Sequence, residues 1–254
     1  MDNLFTIADA VRDNFDELLG HPPEIRTWIF DPPYNIGFNY GGVIDDDSDY
    51  VFAFNNLNVD DDSDSYQVDI WQMCLTMSLH SRVDSNLFLI IYPEIAARLL
   101  PWVEKAGWNF KQWITWVYPS NMGHSKRKFT RGSRAVVWFT KGNPVFNHKA
   151  VVQPYKEDSK KTRAMIAKGS LGAGLYDWWE INLRKNVSKG YAGYFNQLPP
   201  KLIENIILHT TKEGEWVGDL TAVAGTAWEV SQKHNRSCWL NDVNPDCMDI
   251  WRGI

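Results

Sequence analysis

Apolar positions along the chain fall into two kinds of pattern. Continuous runs bounded by turn residues, "RTWIF" (26–30), "SNLFLIIY" (85–92), "FKQWITWVYP" (110–119) and "RAVVWFTKG" (134–142), read as strands, the most apolar of them buried on both faces. Helical spacing appears over 4–19, as an acidic amphipathic helix, and again over 66–82. "PEIAARLLPWVEKAG" is a third helix, opening at Pro93 and stopping at Gly107. After residue 198 the order is helix (199–211), strand "WVGDL" (216–220), a loop with one glycine, helix "TAWEVSQKHN" (226–235) and strand "SCWLNDV" (237–243). Strands alternating with helices of this length predict a doubly wound, mostly parallel α/β sheet. Two stretches break the pattern. Between Asp45 and Asp64 lie eight aspartates and no base, which predicts a mobile loop with a short aromatic segment. Residues 141–195 are irregular and rich in Lys, Gly and Tyr.

Composition narrows this picture. A 254-residue chain with 44% hydrophobic residues and 13 tryptophans can bury a substantial core, which excludes disorder as its global state. Its three cysteines, Cys74, Cys238 and Cys247, have no C-x-x-C spacing and read as reduced thiols. No apolar run reaches the roughly 18 residues of a membrane span, and the acidic N-terminus is unlike a signal peptide, so a cytoplasmic protein is expected.

Charge is segregated. Residues 1–123 hold 6 basic and 19 acidic side chains, whereas residues 124–190 hold 15 and 4. A basic block in a chain of net charge −5 is a local footprint for a polyanion, although an ordinary lysine-rich surface would have the same composition.

The candidate chemistry begins at "WIFDPPYNIG". Prolines stop strands and Asp favours turns, which accounts for Asp31, Pro32 and Pro33 but not for Tyr34. An acid, a rigid pair and an aromatic ring also suit a stiff pocket for one planar molecule. The late strand–loop–helix–strand unit, with Asp242 ending its second strand, fits an adenosine-type cofactor whose ribose hydroxyls lie near that acid.

In order and spacing these stretches resemble the β-class amino-group DNA methyltransferases, which use S-adenosylmethionine. "DPPYNIG" resembles the catalytic motif. "WITWVYPSNMGHSKRKFTRGSRAVVWFTKG" resembles a strand, basic loop and strand of that family, and "NQLPPKLIENIILHTTKEGEWVGDL" the approach to its cofactor loop. "CWLNDVNPDC" resembles the ribose-binding segment. The resemblance spans nearly the whole chain and implies a Rossmann-like, seven-stranded sheet with an inserted target-recognition region. It divides the chain into a catalytic half (1–140) with an acidic loop at 41–66, a target-recognition region (141–195) and a cofactor-binding half (196–254). A bacterial or phage-infected cell is the implied setting, and a monomer or homodimer the implied state.

The resemblance also implies roles. Asp31 and the carbonyl of Pro32, stiffened by Pro33, would accept the two hydrogens of an exocyclic amino group, and Tyr34 would stack on the flipped base. An aspartate heading the motif usually goes with adenine N6, a serine with cytosine N4. Asp219, Thr221, Gly225 and Thr226 would border the methionine end of the cofactor, Asp242 its ribose, Asn196 and Gln197 its carboxylate, and Phe30 its adenine. Taken alone, Asp242 is equally a turn residue, and Asn196–Gln197 a helix cap. Lys126, Arg127, Lys128, Arg131 and Arg134, with Lys160, Lys161, Arg163 and Lys185, would contact double-stranded DNA. "YDWWEI" (176–181) is expected in the core rather than in base stacking. The chain departs from the family in "DLTAVAGTA". Leu220, Thr221 and Val223 stand where the family has proline, an aromatic residue and its first glycine. A β-branched residue there implies either a conventional backbone with a displaced cofactor, or weak cofactor binding. A catalytically silent DNA- or partner-binding relative, and a methyltransferase for cytosine N4, RNA or a protein amide, are the competing readings.

Overall fold

Six consecutive buried residues, Ile25–Phe30, make β2 the middle of an eight-stranded sheet. The computed structural model describes residues 2–33, 63–119, 129–184 and 197–253. In chain order the elements are β1 (Asn3–Ile7), α1 (Phe15–Leu19), β2 (Ile25–Phe30), α2 (Ser63–Leu79), β3 (Ser81–Ile91), α3 (Pro93–Lys105), β4 (Asn109–Val117) and β5 (Ser133–Lys141). There follow β6 (Val152–Gln153), α4 (Lys160–Ala167), β7 (Ala173–Gly174), β8 (Trp178–Glu180), α5 (Pro200–Thr210), β9 (Trp216–Asp219), α6 (Thr226–Lys233), β10 (Ser237–Asp242) and α7 (Asp246–Gly253). The sheet runs β1-β10-β9-β2-β3-β5-β4-β8, and only β5 opposes the common direction. β6 and β7 form a separate antiparallel pair.

Each face of the sheet carries its own core. Trp28, Phe30, Leu87 and Leu89 pack with Ile70, Met73 and Met77 of α2 and with Ala96, Leu99 and Val103 of α3. Ile29, Phe88 and Ile90 pack on the other face with α5, α6 and Trp251 of α7. Alternation of side chains along β2 and β3 produces this division, because successive residues point to opposite faces. Gly218 on β9 is part of the same packing: a Cβ there would lie 2.3 Å from the Trp28 ring.

The structure departs from the expected elements in four places. Residues 4–19 are not one helix: Asn3–Ile7 form β1, in parallel register with Cys238–Asp242 of β10. A strand wins because β10 would otherwise end the sheet with unpaired N–H and C=O groups. Asn14, whose side chain accepts from the N–H groups of Asp16 and Glu17, delays the helix to residue 15. Among the described residues the sheet has eight strands rather than seven, since Trp178–Glu180 pair with Thr115–Val117 of β4. "YDWWEI" is not uniformly core. Trp179 is buried, but Tyr176 and Trp178 are 43% and 42% exposed and stack at a centroid distance of 6.2 Å. The two-residue period of a strand separates them. Finally, residues 63–66 of the expected acidic loop belong to α2, and the rest of that loop lies outside the described residues.

The three cysteines are free and buried, as expected, and burial pushes each thiol up. Among the described residues no helix is long and apolar enough to cross a membrane.

Candidate active site

Strand order reverses between β2 and β9. From β2 the chain crosses by α2 to β3 on one side, and from β9 by α6 to β10 on the other. In open α/β sheets the crevice at such a switch point, outside the carboxyl ends of the strands, is where ligands bind. Here three acids of three neighbouring strands converge on it. Ile29 pairs with Asp219 across β2 and β9, which puts Asp31 just beyond the end of β9. Leu240 pairs with Asp219 across β9 and β10, which puts Asp242 two residues further on.

Their electrostatics follow from that crowding. Asp219 is 4% exposed, and burial pushes its carboxyl up to about 8. The Thr221 N–H, donating to Asp219 Oδ1 at 3.0 Å, works against the rise, while the charges of Asp31 and Asp242 add to it. Burial also raises Asp242, against the N–H groups of Asn244 and Val223, each donating to its carboxylate at 3.0 Å. A buried acid with other acids as its charged neighbours, as Asp219 is, gains from a cationic ligand beside it.

The loop from Leu220 to Gly225 connects these acids. Gly225 caps α6 in the left-handed region at φ 69°, and Thr226 behind it is buried at the first helical position. Val223, where a β-branched side chain is disfavoured, is nevertheless left-handed at φ 37°. Its N–H donates to Asp242 Oδ2 and its carbonyl accepts from Trp251 Nε1 at 3.1 Å. The first alternative for this loop, a conventional backbone, is therefore overturned: valine takes the unusual conformation that glycine would adopt freely. Asn241 steadies the adjoining strand end, donating to the carbonyls of Ala8 and Leu220 and accepting from Thr6 Oγ1 at 2.7 Å.

On the β2 side, Asp31 is partly exposed and Pro32 buried. Tyr66 of α2 donates its hydroxyl to the Pro33 carbonyl at 2.7 Å and so ties the rigid pair to the core. Nothing in the sequence marks Tyr66 for this, since it reads as one apolar-face residue of a helix. Trp251 carries no such mark either, lying 28 residues beyond the loop residue it touches. Phe30 is fully buried in the core with Trp28 and Leu89, and Gln197 is buried next to Leu198. Tyr34 and Asn196 lie outside the described residues.

The basic residues separate into two groups. Lys160, Lys161 and Arg163 stand on α4, which buries none of its residues and is capped by Ser159. Arg163 pairs with Asp158 at 3.0 Å but stays exposed. Arg134, expected on the surface, is 3% exposed, with its guanidinium 5.3 Å from the Trp116 ring centroid and near those of Tyr92 and Tyr118. That expectation is corrected: as the second residue of β5, Arg134 turns inward onto aromatic faces that attract its charge. Arg131 lies over Tyr92 at 3.5 Å and pairs with Glu94. Lys126, Arg127, Lys128 and Lys185 lie outside the described residues. At the opposite ends of the strands, a cavity of about 350 Å³ is lined by Arg26, Phe146, His209 and Glu215, but Arg26 is already paired with Glu215 and Asp84.

Residues 25–252 match the family model described as DNA methylase. The type II methyltransferase M1.MboII of Moraxella bovis is 24% identical over 261 residues, spanning 96% of this chain and 90% of that protein. The crystal structure of the M1.HpyAVI–SAM complex superposes with a TM-score of 0.65 at 14% identity, covering 99% of this chain and 98% of that one. PvuII DNA methyltransferase, which is cytosine-N4-specific, superposes with a TM-score of 0.64 at 14% identity, covering 99% and 92%. The Rossmann-like fold is common to all of these structures.

Proposed function

A chain that matches the DNA methylase model over residues 25–252 belongs to that family, and on this footing we propose that it transfers a methyl group from S-adenosylmethionine to the N6 amino group of adenine in double-stranded DNA. The observation that carries the reading is the convergence of Asp31, Asp219 and Asp242 at the carboxyl ends of β2, β9 and β10. An acid able to hold an amino group thus adjoins acids able to hold a cation.

The residues present fit this cofactor. Its sulfonium and ammonium groups are cationic, and a cation bound there would draw Asp219, protonated in the free protein, toward its charged form. Asp242, held at the end of β10 by the N–H groups of Val223 and Asn244 among its donors, is the acid that would meet the ribose hydroxyls. When bound, S-adenosylmethionine supplies an electrophilic methyl group on sulfur. The chain's own residues then have to hold the acceptor nitrogen in line with it. That nitrogen is a poor nucleophile because its lone pair is delocalised into the ring. The Asp31 carboxylate and the Pro32 carbonyl accept hydrogen bonds from its two N–H groups and favour a more tetrahedral nitrogen, and the proton held toward Asp31 leaves as the N–C bond forms and the S–C bond breaks. Tyr66, through the Pro33 carbonyl, keeps both acceptors preorganised. The base reaches them only by leaving the duplex stack, and Tyr34 recovers part of the lost stacking.

Adenine is assigned on Asp31. The fold is shared with a cytosine-N4-specific enzyme, so the acid heading the motif supports the choice and the architecture does not. The exposed cations of α4 are the phosphate contacts, whereas buried Arg134 serves packing.

Sequencing that detects modified bases, applied to DNA from expressing cells, tests this directly. The expected result is N6-methyladenine in one sequence context, absent from the Asp31→Ala variant. Methylation that persists in Asp31→Ala would falsify the acceptor role. Methylcytosine in its place would reassign the base. No heat on titrating S-adenosylmethionine into the protein would leave a silent DNA-binding relative.

A further inference from the structure

Val223 holds a conformation that its side chain disfavours. A β-branched residue at φ 37° is crowded against its own backbone, and such conformations persist only where their surroundings over-determine them. The Val223 side chain is 36% exposed, so its own burial does little to hold it. What holds it is contact at both ends of the residue. Asp242 takes its N–H, and the indole N–H of Trp251 takes its carbonyl. The same indole meets the loop again at Gly225, where an added Cβ would lie 2.9 Å from its Cδ1. Trp251 is itself fixed, 2% exposed and packed in the core of that face with Phe5 at a ring distance of 5.8 Å.

We propose that Trp251 is a positioning residue for cofactor binding: with Asp242 it clamps Val223 in the left-handed turn that keeps the cofactor loop competent. The proposal rests on S-adenosylmethionine being the cofactor. Were Val223 to relax to negative φ, it would withdraw its N–H from Asp242 and its carbonyl from Trp251 together. The loop and the ribose acid would then lose their common geometry. A ligand that needs one of two conformers binds with an affinity reduced by the fraction in the competent state. Glycine at 223 would need no clamp, since it adopts positive φ without steric cost.

The test is a four-protein cycle read by calorimetry with S-adenosylmethionine: the natural chain, Trp251→Phe, Val223→Gly and the double variant. Phenylalanine keeps a ring and removes the N–H. Trp251→Phe is expected to weaken binding by roughly fivefold, the size of one net hydrogen bond, raising KM for the cofactor while kcat holds. Val223→Gly should bind at least as tightly as the natural chain. In the glycine background Trp251→Phe should change affinity by less than about twofold. Equal losses in both backgrounds would overturn the clamp and leave Trp251 a packing residue; so would an unaffected Trp251→Phe, or weaker binding by Val223→Gly. If the natural chain binds no S-adenosylmethionine, the functional reading fails on its own. The clamp is then judged from melting temperatures. It stands if Trp251→Phe costs less with glycine at 223 than with valine, and falls if the costs are equal.

Discussion

Replacing Asp219 by asparagine changes how stability depends on pH, and the structure sets both the sign and the size. The native carboxyl is pushed up to about 8 from an ordinary value of 3.8, by burial first and by the acids beside it second. Native Asp219 therefore keeps its proton over a range in which the unfolded chain has lost it. The stability this contributes is fully present below the unfolded value and is lost as pH rises through the folded value. Within that window one proton of difference is worth about 1.4 kcal/mol per pH unit. Between pH 5 and pH 7 the natural chain should lose on the order of 3 kcal/mol that Asp219→Asn retains. With Asp219 only 4% exposed, solvent screening does not reduce the effect. Asparagine preserves the shape and still accepts from the Thr221 N–H. Urea unfolding of both proteins at pH 5, 6 and 7 measures the difference directly. His80 and His209 are shifted in both proteins and cancel on subtraction. In melting temperature the divergence should be roughly 5–10 °C for a chain of this size. Two stability curves running parallel across that range would refute the claim that Asp219 is protonated in its crevice.

Two further substitutions probe the supports of the site. Gly218→Ala drives a methyl group to within 2.3 Å of the Trp28 ring, and overpacking of this kind should cost about 1–3 kcal/mol or more, seen as a lower urea midpoint; an unchanged midpoint would contradict the packing of β9 on β2. Tyr66→Phe removes the bond to the Pro33 carbonyl while keeping the ring, so the single-turnover methylation rate should fall by roughly fivefold with little change in cofactor affinity. A rate equal to that of the natural chain would show that the prolines hold the acceptors unaided.

Sequence alone determined the alternation of strands and helices, the motif from Asp31 to Tyr34 and the late unit ending in Asp242. Each of these is a local signal: an apolar run, a rigid dipeptide, a helix that begins at proline. The reach of that information ended where a residue's state depends on a distant partner. Asn3–Ile7 carry a pattern that fits a helix, and only the open edge of β10, more than 230 residues away, makes them a strand. Arg134 belongs by composition to a basic surface stretch, but the pleat of β5 turns it onto Trp116 and Tyr118. Trp178 and Trp179 are adjacent and identical, and pairing with β4 sends one out and the other in. At Val223 the sequence forbade what the tertiary structure imposes. A side-chain preference of about 1–2 kcal/mol is outweighed when Asp242 and Trp251 bind the peptide groups on either side of the residue.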